Sequence, residues 1–292
     1  MAELISFIGT VINISIPILF AALGVLVMQL SGVLNIGAEG MMLIGAFAGM
    51  AGTWIFGNVW LGALFVAAVS ALTGLLFAFF TVTMKANQTV VGVAFNILST
   101  GLTTTLFRIL FGMNSGETLT GFQPIGGAFS LPVYIGFGAV VLITLFMYKT
   151  RPGLMIRAAG EHPKAVDSVG LSVTGIRYAA TMAGAVIIGF GGMYLSMGIL
   201  SFFSEEMVTG RGYIALAAVI FGRYTAAGTL LAVLVFGAGE AAVYRLQALG
   251  SAVPSQLILM IPYVLTILIV AGTGRRSGGP AALGEPYRKG EN

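Results

Sequence analysis

Phe7-Ile8-Gly9-Thr10-Val11-Ile12-Asn13-Ile14-Ser15-Ile16-Pro17-Ile18-Leu19-Phe20-Ala21-Ala22-Leu23-Gly24-Val25-Leu26-Val27-Met28-Gln29-Leu30 runs without a single charged side chain. Hydrocarbon about 30 Å thick is crossed by about 20 apolar residues in a helix, since each residue rises about 1.5 Å. Lipid offers no partner to a free backbone N–H or C=O, so such a run must be helical. The segment ahead of it, Met1-Ala2-Glu3, carries no basic side chain, and the first basic residue is Lys85. The run is therefore read as a retained helix and not as a secretory signal.

Seven more predominantly apolar runs of about this length follow, at 34–55, 59–82, 89–111, 131–149, 178–199, 226–246 and 255–272. The expected fold is all-α and polytopic, with about eight full membrane spans. A shorter apolar stretch, Tyr213 to Gly222, would rise only about 15 Å as a helix, half a membrane. It either completes a crossing with extended backbone around Thr209-Gly210-Arg211-Gly212 or turns back, which gives up to nine or ten membrane segments. Crossing is the favoured reading. Gly32–Leu43 and Gly210–Phe221 share a faint likeness, Gly32 and Ile36 matching Gly210 and Ile214, and suggest an inverted repeat.

The composition agrees with this fold. Of 292 residues, 58% are hydrophobic and 8% charged, where a soluble domain carries about a quarter charged residues. The net charge of +4 is spread through the gaps between apolar runs, so it marks topology and not a nucleic-acid surface. If 83–88, 149–177, 223–225 and 273–292 face the cytoplasm, then Lys85, Lys149, Arg151, Arg157, Lys164, Arg177, Arg223, Arg275, Arg276, Arg288 and Lys289 lie inside. Only Arg108, Arg211 and Arg245 lie outside, with the amino terminus. The chain has no cysteine and a single histidine, His162, so no thiolate or multi-histidine metal site can form, and no cofactor is expected. Residues 1–272 form the membrane domain, and 273–292 is expected to be a disordered cytoplasmic tail.

Three polar features stand out. In Ser31-Gly32-Val33-Leu34-Asn35-Ile36-Gly37-Ala38-Glu39-Gly40-Met41-Met42, Asn35 and Glu39 are four residues apart and are expected on one helix face. An intramembrane carboxylate must point at protein or water. The pair either lines a solute path or staples helices together. Gly45, Gly49 and Gly52 continue as a small-residue face suited to close packing. In the fourth run Gly92, Asn96, Ser99, Thr100 and Thr103 recur at three- and four-residue spacing. They are either a neutral, hydrogen-bonding path for a hydroxyl-rich solute or interhelical contacts. Glu240 and Arg245, five apart, are read as a structural ion pair.

The third feature is the interior loop 149–177. Pro163 suits a first helical position and Gly170 the position past an end, so Pro163–Val169 is expected to be a helix of about two turns. With Ala165, Val166 and Val169 beside Lys164 and Asp167, it is either a knob for a partner's groove or a helix resting on the membrane surface. No phosphate-binding loop, nucleophile or metal motif occurs, so the chain is not read as an enzyme.

Ser31–Phe47, Arg157–Leu171 and Gly212–Arg223 together resemble the ribose-type inner-membrane permeases of bacterial ABC importers. They are most similar to the shorter permease of nucleoside (guanosine, purine and pyrimidine nucleoside) uptake systems, while sugar and branched-chain amino-acid permeases share related motifs. The resemblance implies a multi-pass protein of the bacterial cytoplasmic membrane. It implies a second, homologous permease in a heterodimer, a separate ATP-binding cassette subunit, and a substrate-binding lipoprotein or protein outside. With this reading, a permease working by alternating access is expected, and the polar stripe and the Asn35–Glu39 pair put Asn35, Glu39, Asn96, Ser99, Thr100 and Thr103 around a path suited to a neutral, hydroxyl-bearing nucleoside. The resemblance further implies contact with the ATPase through Arg157, Glu161, His162, Pro163, Lys164, Ala165 and Asp167. At His162 this chain departs from the family, which more often has Asn after the Glu. The rival readings are an autonomous carrier using Glu39 or Glu240 as a proton-coupling carboxylate, and a membrane-assembly protein without transport.

Overall fold

The computed structural model describes residues 2–112, 118–125, 129–248 and 278–288. Among these it is all-α apart from a two-residue antiparallel pairing, Pro124–Ile125 with Phe129–Ser130. Ten α-helices follow in order: α1 (Ala2–Leu30), α2 (Ala38–Phe56), α3 (Val59–Ala78), α4 (Gln88–Phe111), α5 (Leu131–Lys149), α6 (Arg151–Glu161), α7 (Pro163–Ser168), α8 (Val173–Tyr194), α9 (Arg211–Phe221) and α10 (Ala226–Ala248). Seven are long and apolar enough to cross a membrane, and α9 is a shorter apolar helix. The expected span at 255–272 lies outside the described residues.

Start signals on the chain explain several boundaries. Asn58 and Asn87 cap α3 and α4 by accepting backbone N–H groups of the first turn, and Ser172 caps α8 through the Gly175 amide. A π-helical turn ends both α3 (Phe79–Thr83) and α8 (Leu195–Leu200). Such turns free backbone groups where a helix must re-aim.

Helices α1, α2 and α8 form the centre, and α3, α4, α5, α9 and α10 pack around them. The outer helices carry the exposed apolar side chains, such as Leu72, Ile97, Ile109 and Leu142, as expected of surfaces that meet lipid. α8 crosses α1 at Gly24 and Gly184 and α2 at Gly45 and Gly189. A Cβ on Gly45 would stand 2.3 Å from the Gly189 carbonyl oxygen. Gly49 meets Met193 and Gly52 meets Phe65, so the small-residue face of α2 is a packing seam.

The second expected span began at residue 34, but α2 begins at Ala38. Residues 31–37 form a break that climbs through the protein. Its lower end touches the 150–177 region, where Gly160 packs against the Leu30 carbonyl. Its upper end reaches Asn96, about 12 Å along α4 from Gln88. From that level α2 runs toward the end of the molecule that holds the amino terminus. The eleven-residue α9 starts at the same level and runs the opposite way, to Tyr224 beside Gly279.

Two further expectations are corrected. The interior loop contains an additional helix, α6, and α7 ends at Ser168. Within the tail expected to be disordered, 278–288 is packed: the Ala282 amide donates to the Gly160 carbonyl at 2.9 Å and the Gly284 amide to the Gly32 carbonyl at 3.0 Å. Backbone bonds to two buried helix ends supply what the composition of this stretch does not suggest.

Candidate functional site

Two broken helices meet inside the bundle. At the start of α2, Glu39 accepts the Gly210 amide on Oε1 at 2.7 Å and the Gly212 amide on Oε2 at 2.8 Å. Those amides open α9, whose first turn has no intrahelical acceptor for them and carries partial positive charge. The carboxylate satisfies both needs at once. Gly212 must be glycine for this approach, because a Cβ there would lie 2.4 Å from the Glu39 nitrogen.

Asn96 of α4 ties the same junction. Its Oδ1 accepts the Gly40 amide at 2.8 Å, and its Nδ2 donates to the Ile36 carbonyl at 3.1 Å and to the Tyr213 hydroxyl at 2.9 Å. One side chain thus holds the break, α2 and α9 together. Between Gly210 and Gly212, Arg211 turns the other way and pairs with Glu240 of α10. Its Nη1 also donates to the Thr209 hydroxyl at 2.9 Å and the Val208 carbonyl at 3.2 Å.

The structure separates the other expected path residues from this junction by degrees. Asn35 does not share a helix face with Glu39. It sits in the break, fully buried, with Nδ2 against the sulfurs of Met28 and Met41 at 3.1 and 3.3 Å. Ser99 and Thr103 are buried and bond back to the α4 carbonyls of Phe95 and Ser99, and the Ser99 hydroxyl lies only 2.6 Å from where a Cβ on Gly40 would stand. Thr100 is half-buried at the edge of this seam. The polar stripe of α4 therefore faces α2 and is filled by protein contacts in this conformation. The Glu240–Arg245 pair does not form: Arg245 instead reaches Glu3 at 3.0 Å. Five residues along a helix turn by about 140°, so the two side chains point to different neighbours. Arg211, Tyr213 and the two glycine amides were missed as site groups. Their one signal was a charged residue between glycines at the head of a half-length apolar stretch.

At the opposite level, α6 and α7 form a short elbow. Thr150 caps α6 through the Gly153 amide, and Arg157 donates to the Met147 carbonyl at 3.1 Å with its guanidinium 4.6 Å from the centre of the Tyr148 ring. Glu161 accepts the Ala281 amide at 3.2 Å. His162, exposed, is the joint between the two helices, and Pro163 opens α7. Val166 turns inward against Ala159 and Val173, whereas Lys164, Ala165 and Val169 face outward. Of the three apolar knob residues expected on α7, two are available to a partner. Asp167 stands beside the Tyr287 hydroxyl, and partial desolvation together with that carboxylate holds the phenol above its ordinary pKa.

Residues 7–270 match the family model described as branched-chain amino acid transport system / permease component. The chain belongs to this permease family. It is 35% identical to the guanosine ABC transporter permease protein NupQ of Bacillus subtilis, over 94% of each chain. It is 32% identical to the nucleoside ABC transporter permease protein NupC of Lactococcus lactis, also over 94% of each. A putative glucose ABC transporter permease protein, TsgC13 of Haloferax volcanii, is 32% identical over 93% of this chain and 94% of its own. The permease is a multi-pass protein of the cytoplasmic membrane, and it is the non-catalytic transmembrane component of an ABC transporter. ATP hydrolysis and substrate capture belong to partner proteins.

Proposed function

We propose that this permease imports nucleosides, and that an ATP-binding subunit docked on α6 and α7 drives it between inward- and outward-facing states. The observation that carries the reading is the Glu39 junction. The N-termini of two discontinuous helices of opposite direction meet inside the bundle, and the break leading to one of them rests on the ATPase-facing elbow through Gly160. Junctions of this kind are where transporters change shape around a solute, since the backbone there is held by replaceable contacts. The opposite directions of α2 and α9 support an inverted repeat, and the passage of 201–224 from one end of the molecule to the other supports a full crossing.

The charge distribution supports placing the elbow in the cytoplasm. Lys85, Lys149, Arg151, Arg157, Lys164, Arg177, Arg223 and Arg288 lie toward that end, against Arg108, Arg211 and Arg245 elsewhere. Asn35, Glu39, Asn96, Ser99, Thr100 and Thr103 belong to the moving seam, which opens a neutral polar path when α2 and α4 part. A second, homologous permease completes the translocation unit as a heterodimer, and a lipoprotein delivers the substrate from outside. The relatives named for guanosine and nucleoside support the substrate class.

A second reading, a sugar permease, is favoured by the likeness to the putative glucose permease. Competition for uptake separates them. Excess unlabelled guanosine or uridine abolishes uptake of labelled nucleoside while ribose, glucose and leucine leave it unchanged. Competition by glucose or ribose alone would transfer the assignment to sugars.

A further inference from the structure

A six-residue helix is a small platform for an energy-coupling partner. Specific interfaces take about 800 Å² and 20–30 residues on each side, and only Lys164, Ala165 and Ser168 of α7, with Val169 just past its end, are exposed. The neighbouring surface is supplied by the carboxyl-terminal stretch 278–288. Glu285, Pro286 and Arg288 are exposed beside Lys164, across a cleft of about 290 Å³ whose floor includes Arg177.

This stretch is anchored as a strap. The Ala281 amide donates to Glu161, the Ala282 amide to the Gly160 carbonyl and the Gly284 amide to the Gly32 carbonyl. The buried Arg177 donates from Nη1 to the Glu285 carbonyl at 2.8 Å. Tyr287 closes the line against Asp167 of α7. The strap is thus bonded at one side to the elbow and at the other to Gly32, the foot of the break that leads to Glu39.

We propose that the strap is the second wall of the ATPase-docking surface, so that the ATP-binding subunit touches α7 and residues 285–288 together and, through Gly284, moves the foot of the break that leads to α2. The inference rests on the reading of α7 as the ATPase contact. It adds a partner surface with mixed charge, Lys164 and Arg288 around Glu285, suited to a polar interface rim on the ATPase.

Because the native chain has no cysteine, each wall can be labelled alone. In the assembled transporter, a benzophenone maleimide placed at Ala165→Cys and, separately, at Pro286→Cys is expected to crosslink the ATP-binding subunit to similar extents. The same label at the lipid-facing Leu142→Cys gives no such product. Gly284→Pro lacks the N–H and cannot adopt the φ of +81° found there. It should reduce crosslinking from Pro286→Cys at least fivefold while leaving that from Ala165→Cys within twofold. Crosslinking from Ala165→Cys without any from Pro286→Cys overturns the strap and leaves the docking of α7 standing. Absence of both overturns the docking reading itself. Unchanged crosslinking from Pro286→Cys in the Gly284→Pro background shows that the bond to Gly32 does not position the strap, and overturns the link to α2.

Discussion

Glu39 and Gly212 approach so closely that the side chain of one caps the backbone of the other: the carboxylate of Glu39 accepts the Gly212 amide at 2.8 Å, with the Gly210 amide on its second oxygen. A charged group inside an apolar bundle is costly unless every lone pair has a use. Here the use is a helix end that has no other acceptor. The same arrangement makes the junction sensitive to loss of charge.

Glu39→Ala leaves two part-buried amides without their acceptor, each worth up to about 1–3 kcal/mol. The expected outcome is an inserted permease with a lower melting temperature in detergent and strongly reduced uptake. Glu39→Gln, which keeps one acceptor oxygen but turns an N–H₂ toward a donor, should fall between wild type and Ala. Thermal melts of the three proteins side by side check the order; a melting temperature unchanged in Glu39→Ala contradicts the cap.

Arg211 and Glu240 are an ion pair with side chains 11% and 17% exposed. Removing one partner strands the other, which costs about 3–5 kcal/mol, whereas replacing both by apolar residues of similar size is often neutral. Arg211→Met and Glu240→Met alone should therefore each destabilise, and the double variant should recover most of the loss. If the double variant is as unstable as the sum of the singles, the two residues do not act as a pair.

Asn96→Leu breaks three hydrogen bonds that join the break, α2 and α9, and is expected to lower both stability and uptake. Thr100→Val removes a hydroxyl from the half-buried edge of the seam and should leave stability within about 0.5 kcal/mol. Its effect on uptake then reports directly on solute contact: a loss of uptake at normal stability places Thr100 on the path.

On α7, Lys164→Ala should change the association of the ATP-binding subunit by only about 0–1 kcal/mol, as for other exposed charges. Ala165→Asp puts an unpaired charge on the outward-facing Ala165, at the centre of the proposed ATPase contact, and should release the subunit. Co-purification measures both, and the reverse pattern would make the contact electrostatic.

Much of this architecture is readable from the chain, because lipid imposes length and helicity on any long apolar run. The runs at 131–149 and 226–246 show how directly that constraint works: α5 spans Leu131–Lys149, and α10 starts at Ala226. What hydropathy cannot register is a polar bond made across the bundle. The apolar run from 34 hides a break, where the Leu34 amide donates to Gln88 of α4 and the Asn35 Nδ2 points at the sulfurs of Met28 and Met41. Glu240 chooses Arg211 over its sequence neighbour Arg245 for a similar reason. α6 is masked by Pro152 and Gly153, which look like a turn but occupy a first helical turn capped by Thr150. The strap is the extreme case, its small and polar residues held by backbone groups that no composition reveals.

The measurement that bears most directly on the central claim is uptake into proteoliposomes holding the permease, its partner permease and the ATP-binding subunit, with the binding protein outside. Labelled nucleoside should accumulate only when ATP is enclosed, and Ala165→Asp should abolish accumulation while the permease itself remains inserted. Accumulation by this chain alone, without the ATP-binding subunit and driven by a proton gradient, would contradict the account and make Glu39 or Glu240 a proton-coupling group.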